Sequence, residues 1–359
     1  MASELKVLMA VGGSGGHLFP AQQLSECLLK GGNCSLFFAG YKLAETPFFQ
    51  REGIAFQEIS SAQIKKIGPF LFSAWKGFWQ SVRLLRSFSP DVVVGFGSYH
   101  SFPVLLAAAL MRKKIVLFEA NCILGKVNRL LIPFAEKIAL QLPLPKKVSR
   151  KEIYVPLLPW VEPGIKKITP QEARLELQLQ PDVFTILVFG GSQGASFLNF
   201  SFPEIAVLLK SRGLSFQVIH LTGKEEEKYK AHYALHAIGA RVKTFEKEMS
   251  KTYLAADIAI CRSGAGTTAE LIRFQKPALL IPFPEAADDH QKKNGEYLAA
   301  LGGARLLLQQ DAAVMRQVTE IEALIQERQI RSEALGKIRS SYEGKPNLSE
   351  IVREVGEKK

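Results

Sequence analysis

The strongest constraint on the fold is a series of ten short, almost continuously apolar runs separated by longer stretches of helical spacing. The first five are "KVLMAV" (6–11), "SLFFAG" (35–40), "DVVVGF" (91–96), "KIVLFE" (114–119) and "KIALQL" (137–142). The second five are "TILVFG" (185–190), "SFQVIHL" (215–221), "ARVKTF" (240–245), "DIAIC" (257–261) and "PALLIP" (277–282). Strands without polar alternation are buried on both faces, which predicts parallel sheets flanked by helices on each side. Between the two series, "LPLPKKVSRKEIYVPLLPWVEPG" (142–164) is proline-rich and basic and keeps no helical period, so it reads as a boundary. A length of 359 residues suits two domains. The expected class is α/β, with two doubly wound parallel-sheet domains facing a cleft, 1–158 and 159–336. A C-terminal helix from about 337 to 359 is expected to pack back on the first.

The halves echo each other at one kind of site. "VGGSGG" (11–16) and "FGGSQG" (189–194) each follow the first strand of their half and open a helix. A turn without Cβ atoms lets backbone N–H groups approach an anion, and the helix N-terminus adds a favourable field. Glycines serving only close helix–sheet packing are the plainer account of either turn alone. The dinucleotide fingerprint GxGxxG fails, because Leu18 stands where the third glycine belongs and "FFAGYK" (37–42) ends the second strand without an acid. No GK[ST] occurs, which excludes a Walker A loop.

Gly190-Gly191-Ser192-Gln193-Gly194 also matches the nucleophile elbow GxSxG, with Asp257 and His290 following in hydrolase order. The N-terminal turn matches the same pattern, however, and one triad needs one elbow. His17 distinguishes the first turn, since Ala195 holds the equivalent place in the second. A lone histidine is usually structural. At the opening of a helix in a glycine-rich turn it would face the cleft and accept a proton at neutral pH.

At 47% hydrophobic and 22% charged residues, the composition is that of a soluble globular chain. No apolar run reaches the ~18 to 20 residues of a spanning helix, and glycines interrupt any signal-peptide pattern at the N-terminus. Cys27, Cys34, Cys122 and Cys261 lack CxxC spacing and sit in apolar or helical contexts, which suits reduced, buried thiols and a cytoplasmic chain. The net charge of +12 is uneven: residues 1–160 hold 19 Lys/Arg against 9 Asp/Glu, and the remaining 199 hold 27 against 25. A basic N-terminal half suits nucleic acid, a membrane surface or a phosphorylated substrate. Without zinc spacing, an RNP-type motif or an Arg-rich recognition helix, nucleic acid is the weakest of the three, and none is expected.

Six motifs together carry a family resemblance: "GGSGGH" (12–17), "GFGSYHSFP" (95–103), "EAN" (119–121), "GGSQGA" (190–195), "CRSGAGTTAE" (261–270) and "DDHQKKN" (288–294). In order and interval they resemble the MurG family of peptidoglycan N-acetylglucosaminyltransferases over nearly the full chain. The resemblance implies the GT-B architecture of two Rossmann-like domains, with the sugar nucleotide held mainly by the second. It implies transfer of N-acetylglucosamine from UDP-N-acetylglucosamine to the 4-hydroxyl of undecaprenyl-pyrophosphoryl-N-acetylmuramyl-pentapeptide (lipid I to lipid II), with inversion. Such a displacement needs a base for the acceptor hydroxyl and stabilisation of the departing diphosphate.

On this reading His17 is the base, and Ser14, Gly15 and Gly16 present backbone N–H groups beside it. Tyr99, Glu119 and Asn121 line the acceptor side. The stretch Ser263, Gly264, Ala265, Gly266, Thr267 and Thr268 contacts UDP, with Ser192 near the diphosphate. Glu270 accepts both ribose hydroxyls, because a carboxylate can accept two hydrogen bonds at once. Arg262 either pairs with phosphate or braces the loop. Backbone groups at Phe245 and Glu246 meet the uracil edge, and His290, Gln291 and Asn294 reach the sugar hydroxyls. No DxD-type pair occurs in a plausible cleft loop, so no obligatory metal or cofactor is expected; Asp288-Asp289 read as the cap of a following helix. The family usually has His-Glu-Gln-Asn where this chain reads Phe118-Glu119-Ala120-Asn121. Its Gly-Asn-Pro-Val-Arg appears here as "LLPWV" (157–161), without the arginine that helps hold the nucleotide.

"QIKKIGPFLFSAWKGFWQSVRLLRSF" (63–88) accounts for part of the excess charge. Leu71, Trp75, Phe78, Val82 and Leu85 recur at helical spacing, with Phe70, Phe72 and Trp79 widening the apolar surface and Lys65, Lys66, Lys76, Arg83 and Arg86 flanking it. An amphipathic helix packed on a sheet explains the main stripe. The surplus aromatics and cations suit an anionic membrane surface, each cation contributing ~1 kcal/mol near it. An acceptor on an undecaprenyl tail would require that placement, peripheral to the cytoplasmic face of the inner membrane. Three alternatives stand beside this reading: a GT-B transferase acting on another lipid such as a diacylglycerol, a Ser192 hydrolase, and a non-catalytic subunit that binds sugar nucleotide or recruits to membranes.

Overall fold

The computed structural model describes residues 4–12, 15–46, 49, 53–61, 67–156, 168–191 and 195–357, with the backbone alone for 67–72. They form two compact units, 1–158 with 344–359, and 159–343.

The first unit is built on seven parallel strands: β1 (Leu5–Val11), β2 (Cys34–Gly40), β3 (Ala55–Glu58), β4 (Val92–Gly95), β5 (Lys114–Glu119), β6 (Lys137–Leu140) and β7 (Glu152–Tyr154). Their order is β3-β2-β1-β4-β5-β6-β7, reversing direction between β1 and β4. The helices are α1 (Gly15–Lys30), α2 (Ile67–Phe88), α3 (Phe102–Leu110) and α4 (Lys126–Leu131). Val82, Leu84 and Leu85 of α2, Leu105 of α3 and Leu131 of α4 pack with Leu8, Val93, Ile115 and Leu117 of the strands. Burying such a side chain contributes roughly 1.5 to 3 kcal/mol.

The second unit has β8 (Thr185–Phe189), β9 (Gln217–Leu221), β10 (Gly239–Lys243), β11 (Ile258–Cys261), β12 (Ala278–Leu280) and β13 (Ala304–Leu306), all parallel, in the order β10-β9-β8-β11-β12-β13. Its helices are α5 (Pro170–Glu176), α6 (Ser196–Ser211), α7 (Glu226–Leu235), α8 (Met249–Ala255), α9 (Ala265–Arg273), α10 (His290–Ala300), α11 (Val314–Gln326) and α12 (Arg328–Ser340). Phe202 of α6, Tyr233 of α7 and Ile321 of α11 join Val188, Val218 and Ile260 in one core.

The chain then returns to the first unit as α13 (Leu348–Glu357), where Leu348, Ile351, Val352 and Val355 recur at helical spacing and are buried. Arg353 Nη2 fastens this helix by donating to the carbonyls of Leu28 (2.7 Å) and Gly32 (3.0 Å).

All ten apolar runs contain a strand, but β3, β7 and β13 are additional. These three form edges of the two sheets. They are short and mostly half-exposed, so they lack the continuous apolar pattern that marks an interior strand. β7 lies inside the stretch that reads as a boundary, which is therefore partly sheet. The C-terminal segment is two helices, α12 and α13, divided by a turn where Gly344 has φ +73°. Cys27 is exposed and Cys34 half-buried, so the expectation of buried thiols holds for Cys122 and Cys261 alone. Asp289 stands at the N-cap of α10, as expected, but in a left-handed conformation and without a capping bond from its side chain.

Candidate active site

In a doubly wound sheet, ligands bind beyond the carboxyl ends of the strands where the order reverses. In the first unit this point lies between β1 and β4, and glycine-rich turns follow both. His17, in the first turn of α1, spans it: its Nδ1 lies 2.7 Å from the Phe96 carbonyl oxygen. A carbonyl only accepts, so Nδ1 carries the proton and the neutral ring keeps its basic lone pair on Nε2. In that tautomer Nε2 is the ring nitrogen able to accept a proton. Packing explains Gly12, where a Cβ would lie 2.5 Å from Ser98 Oγ. It does not explain Gly16, where nothing lies within 4 Å. Gly15 is buried, and Ser14 lies outside the described residues.

The turn after β4 is held by its own side chains. Gly97 has φ +75°, and a Cβ there would lie 3.6 Å from His17 Cε1. Ser98 adopts φ 80°, a costly conformation for a non-glycine residue, and such strain of about 1 to 3 kcal/mol gathers at functional sites. Its Oγ accepts from His100 N, while Ser101 Oγ donates to the carbonyls of Gly97 (2.7 Å) and Ser98 (2.9 Å). Tyr99 is exposed. The His100 ring stacks on Tyr41 at 4.7 Å, with Nδ1 2.7 Å from Ser61 Oγ. Burial first, and then repulsion from His17 when that ring is protonated, hold the His100 pKa below its ordinary value.

Glu119 is 5% exposed. Its Oε1 accepts from Asn121 N (3.2 Å) and Asn121 Nδ2 (3.0 Å), and its Oε2 accepts from Gly125 N (2.9 Å) and Asn128 Nδ2 (3.0 Å). A carboxylate offers about four acceptor positions, so Glu119 is a clasp for the loop that carries Asn121. The fully buried Asn128, also bonded to Phe118 O, completes it. The motif 95–103 contains His100 and Ser101 without giving either a role, and nothing in the sequence patterns singled out Asn128. Phe118 and Ala120 are both buried, and Phe118 packs on Phe96 at 5.5 Å. The Phe118 ring thus backs the residue whose carbonyl orients His17.

In the second unit the order reverses between β8 and β11. The turn after β11 opens α9, and Gly266 in its first turn is exposed with nothing within 4 Å, so packing does not require a glycine there. Ala265, Gly264 and Thr267 are half-buried in the same turn. Two distant motifs meet here: Ser263 Oγ donates to Gln291 O (2.7 Å), and Asn294 Nδ2 donates to Ser263 O (3.1 Å). Asn294 and Thr268 are fully buried, and Thr268 Oγ1 donates to Gly264 O. These two side chains shape the turn.

Arg262 braces it. Nη1 donates to the carbonyls of Ile281 and Pro282, Nη2 donates to Gln309 Oε1, and the guanidinium lies over the Phe197 and Phe283 rings. Glu270 Oε2 accepts from Tyr253 OH at 2.7 Å, and buried Tyr253 is itself stacked on Phe274. Sequence patterns did not mark Tyr253. Phe245 is half exposed, whereas Glu246 turns inward, pairing with Arg241 at 3.0 Å and accepting from Lys247 N. His290 Nδ1 donates to Ala287 O (2.7 Å), and Gln291 Oε1 accepts from Phe283 N (3.0 Å).

The described residues give the hydrolase reading no support. Asp257 lies at the opposite end of β8 from Gly191, since its N–H donates to Thr185 O. At about 3.3 Å per strand residue that places it on the order of 15 Å from the turn. Its Oδ2 accepts from Arg174 Nη2 (2.8 Å) and Thr185 N (2.7 Å). Ser192 lies outside the described residues, as does the stretch 157–161. Among the described residues, no cluster of three or more His, Cys, Asp or Glu side chains is placed to hold a metal ion.

On α2 the inward stripe is Gly77, Ser81, Val82, Leu84 and Leu85. Trp75, expected on that stripe, is instead 64% exposed, with Trp79, Lys76, Arg83 and Arg86 also facing solvent. Lys65, Lys66 and the side chains of Phe70, Leu71 and Phe72 lie outside the described residues. No helix among the described residues is long and apolar enough to cross a membrane.

Residues 7–140 match the glycosyltransferase family 28 N-terminal domain, and residues 185–345 match the glycosyltransferase family 28 C-terminal domain. The chain is 38% identical over 315 residues to the UDP-N-acetylglucosamine–N-acetylmuramyl-(pentapeptide) pyrophosphoryl-undecaprenol N-acetylglucosamine transferase of Protochlamydia amoebophila, covering 84% of this chain and 83% of that one. The chain belongs to the MurG family of glycosyltransferases. The identically named protein of Polaromonas naphthalenivorans is 33% identical, over 91% of this chain and 93% of its own. The crystal structure of Acinetobacter baumannii MurG superposes with a TM-score of 0.76 at 25% identity, covering 99% of this chain and 100% of that one. The GT-B architecture follows from this likeness and from the two reversing parallel sheets.

Proposed function

We propose that the protein transfers N-acetylglucosamine from UDP-N-acetylglucosamine to the 4-hydroxyl of undecaprenyl-pyrophosphoryl-N-acetylmuramyl-pentapeptide, inverting the anomeric carbon. The carrying observation is the His17 Nδ1 contact with the Phe96 carbonyl at the reversal of the first sheet. His17 Nε2 takes the proton of the acceptor O4 as O4 bonds to the sugar C1. The bond from C1 to the diphosphate oxygen breaks with its electron pair, and UDP departs. One in-line displacement inverts the centre. The N-terminus of α9 stabilises the growing negative charge through its backbone N–H groups and dipole. Glu270, held by Tyr253, accepts the ribose hydroxyls, and Glu119 fixes the loop that presents Asn121 to the acceptor.

The protein works peripherally at the cytoplasmic face of the membrane that holds its acceptor, with Trp75, Trp79 and the cations of α2 against anionic lipid. Incubation with UDP-N-acetylglucosamine and a lipid I analogue tests the reading. Stoichiometric UDP and a β-linked disaccharide product are expected, and absence of any product would refute it.

A further inference from the structure

We propose that His100 is a positioning residue for His17, which it serves by tying the turn after β4 across the carboxyl end of β1. The proposal rests on the transferase reading above and adds a residue to the acceptor side of that same site. The His17 ring lies beside two glycines. A Cβ at Gly97 would stand 3.6 Å from its Cε1, and a Cβ at Gly12 would stand 3.6 Å from its Cδ2. The Phe96 carbonyl that fixes its tautomer comes directly before Gly97. Whatever holds the 97–101 turn therefore holds both the packing and the hydrogen bond of the base.

The turn is not relaxed. Gly97 and Ser98 are consecutive residues with positive φ, +75° and 80°. For serine such a conformation costs about 1 to 3 kcal/mol and persists only where the surroundings over-determine it. The bonds from His100 N to Ser98 Oγ and from Ser101 Oγ to the Gly97 and Ser98 carbonyls close within the turn, so they would move with it. An anchor outside the turn is needed.

The His100 side chain supplies one. The strand order β3-β2-β1-β4 places β1 between β2 and β4. His100 belongs to the turn after β4, yet its ring stacks on Tyr41, the residue that follows β2, at 4.7 Å with 13° between the planes. Its Nδ1 lies 2.7 Å from the Oγ of buried Ser61, just beyond β3. Neighbouring strands stand ~4.8 Å apart, so the connection spans roughly 10 Å, over the end of β1 where α1 and His17 begin. The far side is itself fixed: Ile59 N donates to Gly40 O (2.7 Å), and Ser60 N donates to Gln80 Oε1 (2.8 Å). An imidazole suits this place. It stacks and hydrogen-bonds at once, and burial keeps it uncharged at neutral pH. A lysine or arginine there would oppose the positive charge that His17 gains with the acceptor proton.

The test is a double-mutant cycle on kcat for UDP release, with saturating UDP-N-acetylglucosamine and a lipid I analogue. It compares wild type, His100→Ala, His17→Ala and the double variant. His100→Ala is expected to lower kcat roughly ten- to a hundredfold, the cost of a base displaced by up to an ångström. KM for UDP-N-acetylglucosamine stays within about twofold, because His100 lies in the unit that carries His17. In the His17→Ala background the same substitution is expected to change the residual kcat by less than about twofold, since the group it positions is gone. A substitution that merely loosened the unit would cost the same factor in both backgrounds. Ser61→Ala removes the hydrogen bond from its other end and repeats the cycle should His100→Ala fold poorly; its expected loss in the wild-type background is roughly three- to tenfold. A His100→Ala enzyme with kcat within about twofold of wild type, or equal losses in the two backgrounds, would overturn the assignment. Either result, with turnover by the wild-type protein, removes the role of His100 alone; no product from the wild type removes the transferase reading and this role with it.

Discussion

His17 shows how a single contact sets chemistry. Its Nδ1 bond to a backbone carbonyl decides the tautomer, and the Phe96–Phe118 ring pair keeps that carbonyl in place. In the second unit, Tyr253 does for Glu270 what Phe96 does for His17. Tyr253→Phe removes one hydrogen bond to a carboxylate, worth about 1.5 to 3 kcal/mol at most. We expect KM for UDP-N-acetylglucosamine to rise roughly tenfold with kcat much less affected, as initial-rate kinetics would show; an unchanged KM would mean Glu270 does not meet the nucleotide. The motif segments lie at the carboxyl ends of strands, but the motifs do not give the direction of each side chain. Glu119, Arg262, Thr268 and Asn294 all sit where the motifs put them, and all bond inward. A motif records which residues a loop contains. Whether a carboxylate faces substrate or closes its own loop depends on donors such as Asn128, ten residues away from the carbonyl it also holds.

At the scale of elements, interior strands were legible because burial on both faces demands an unbroken apolar run. β3, β7 and β13 were not, since these edge strands are three or four residues long and keep polar residues, whereas the remaining edge strand, β10, is five residues long. For α2, the period was right and the face was rotated. Gly77 and Ser81, which look neutral in sequence, are the inward residues because the helix lies so close to the 60–61 segment, and Trp75 is turned outward. Gly77→Ala should therefore destabilise the first unit by about 1 to 3 kcal/mol through overpacking, despite the better helix propensity of alanine. Urea denaturation checks this; a variant as stable as wild type would show that α2 can move away at no cost.

Across the whole molecule, the charge asymmetry and the exposed aromatics of α2 concern the same unit. Residues 1–160 carry nearly all of the net charge, and Trp75, Trp79 and Leu110 are exposed there. Co-sedimentation with anionic vesicles should exceed that with neutral ones and weaken as salt rises; equal binding to both would argue against an electrostatic membrane face. The two-domain organisation was legible from the repeated strand series and paired glycine turns, because each half must bury its own sheet. The return of α13 to the first sheet, expected from the sequence, is held by contacts over three hundred residues apart, such as Arg353 with Leu28.

The central claim is that His17 takes the acceptor proton, and the most direct measurement is kcat for UDP release with saturating donor and acceptor in wild type and His17→Ala. A lost general base predicts a fall of about 10² to 10⁴, with KM for UDP-N-acetylglucosamine little changed because His17 lies in the other unit. A His17→Ala enzyme that kept kcat within a few-fold of wild type would contradict the account.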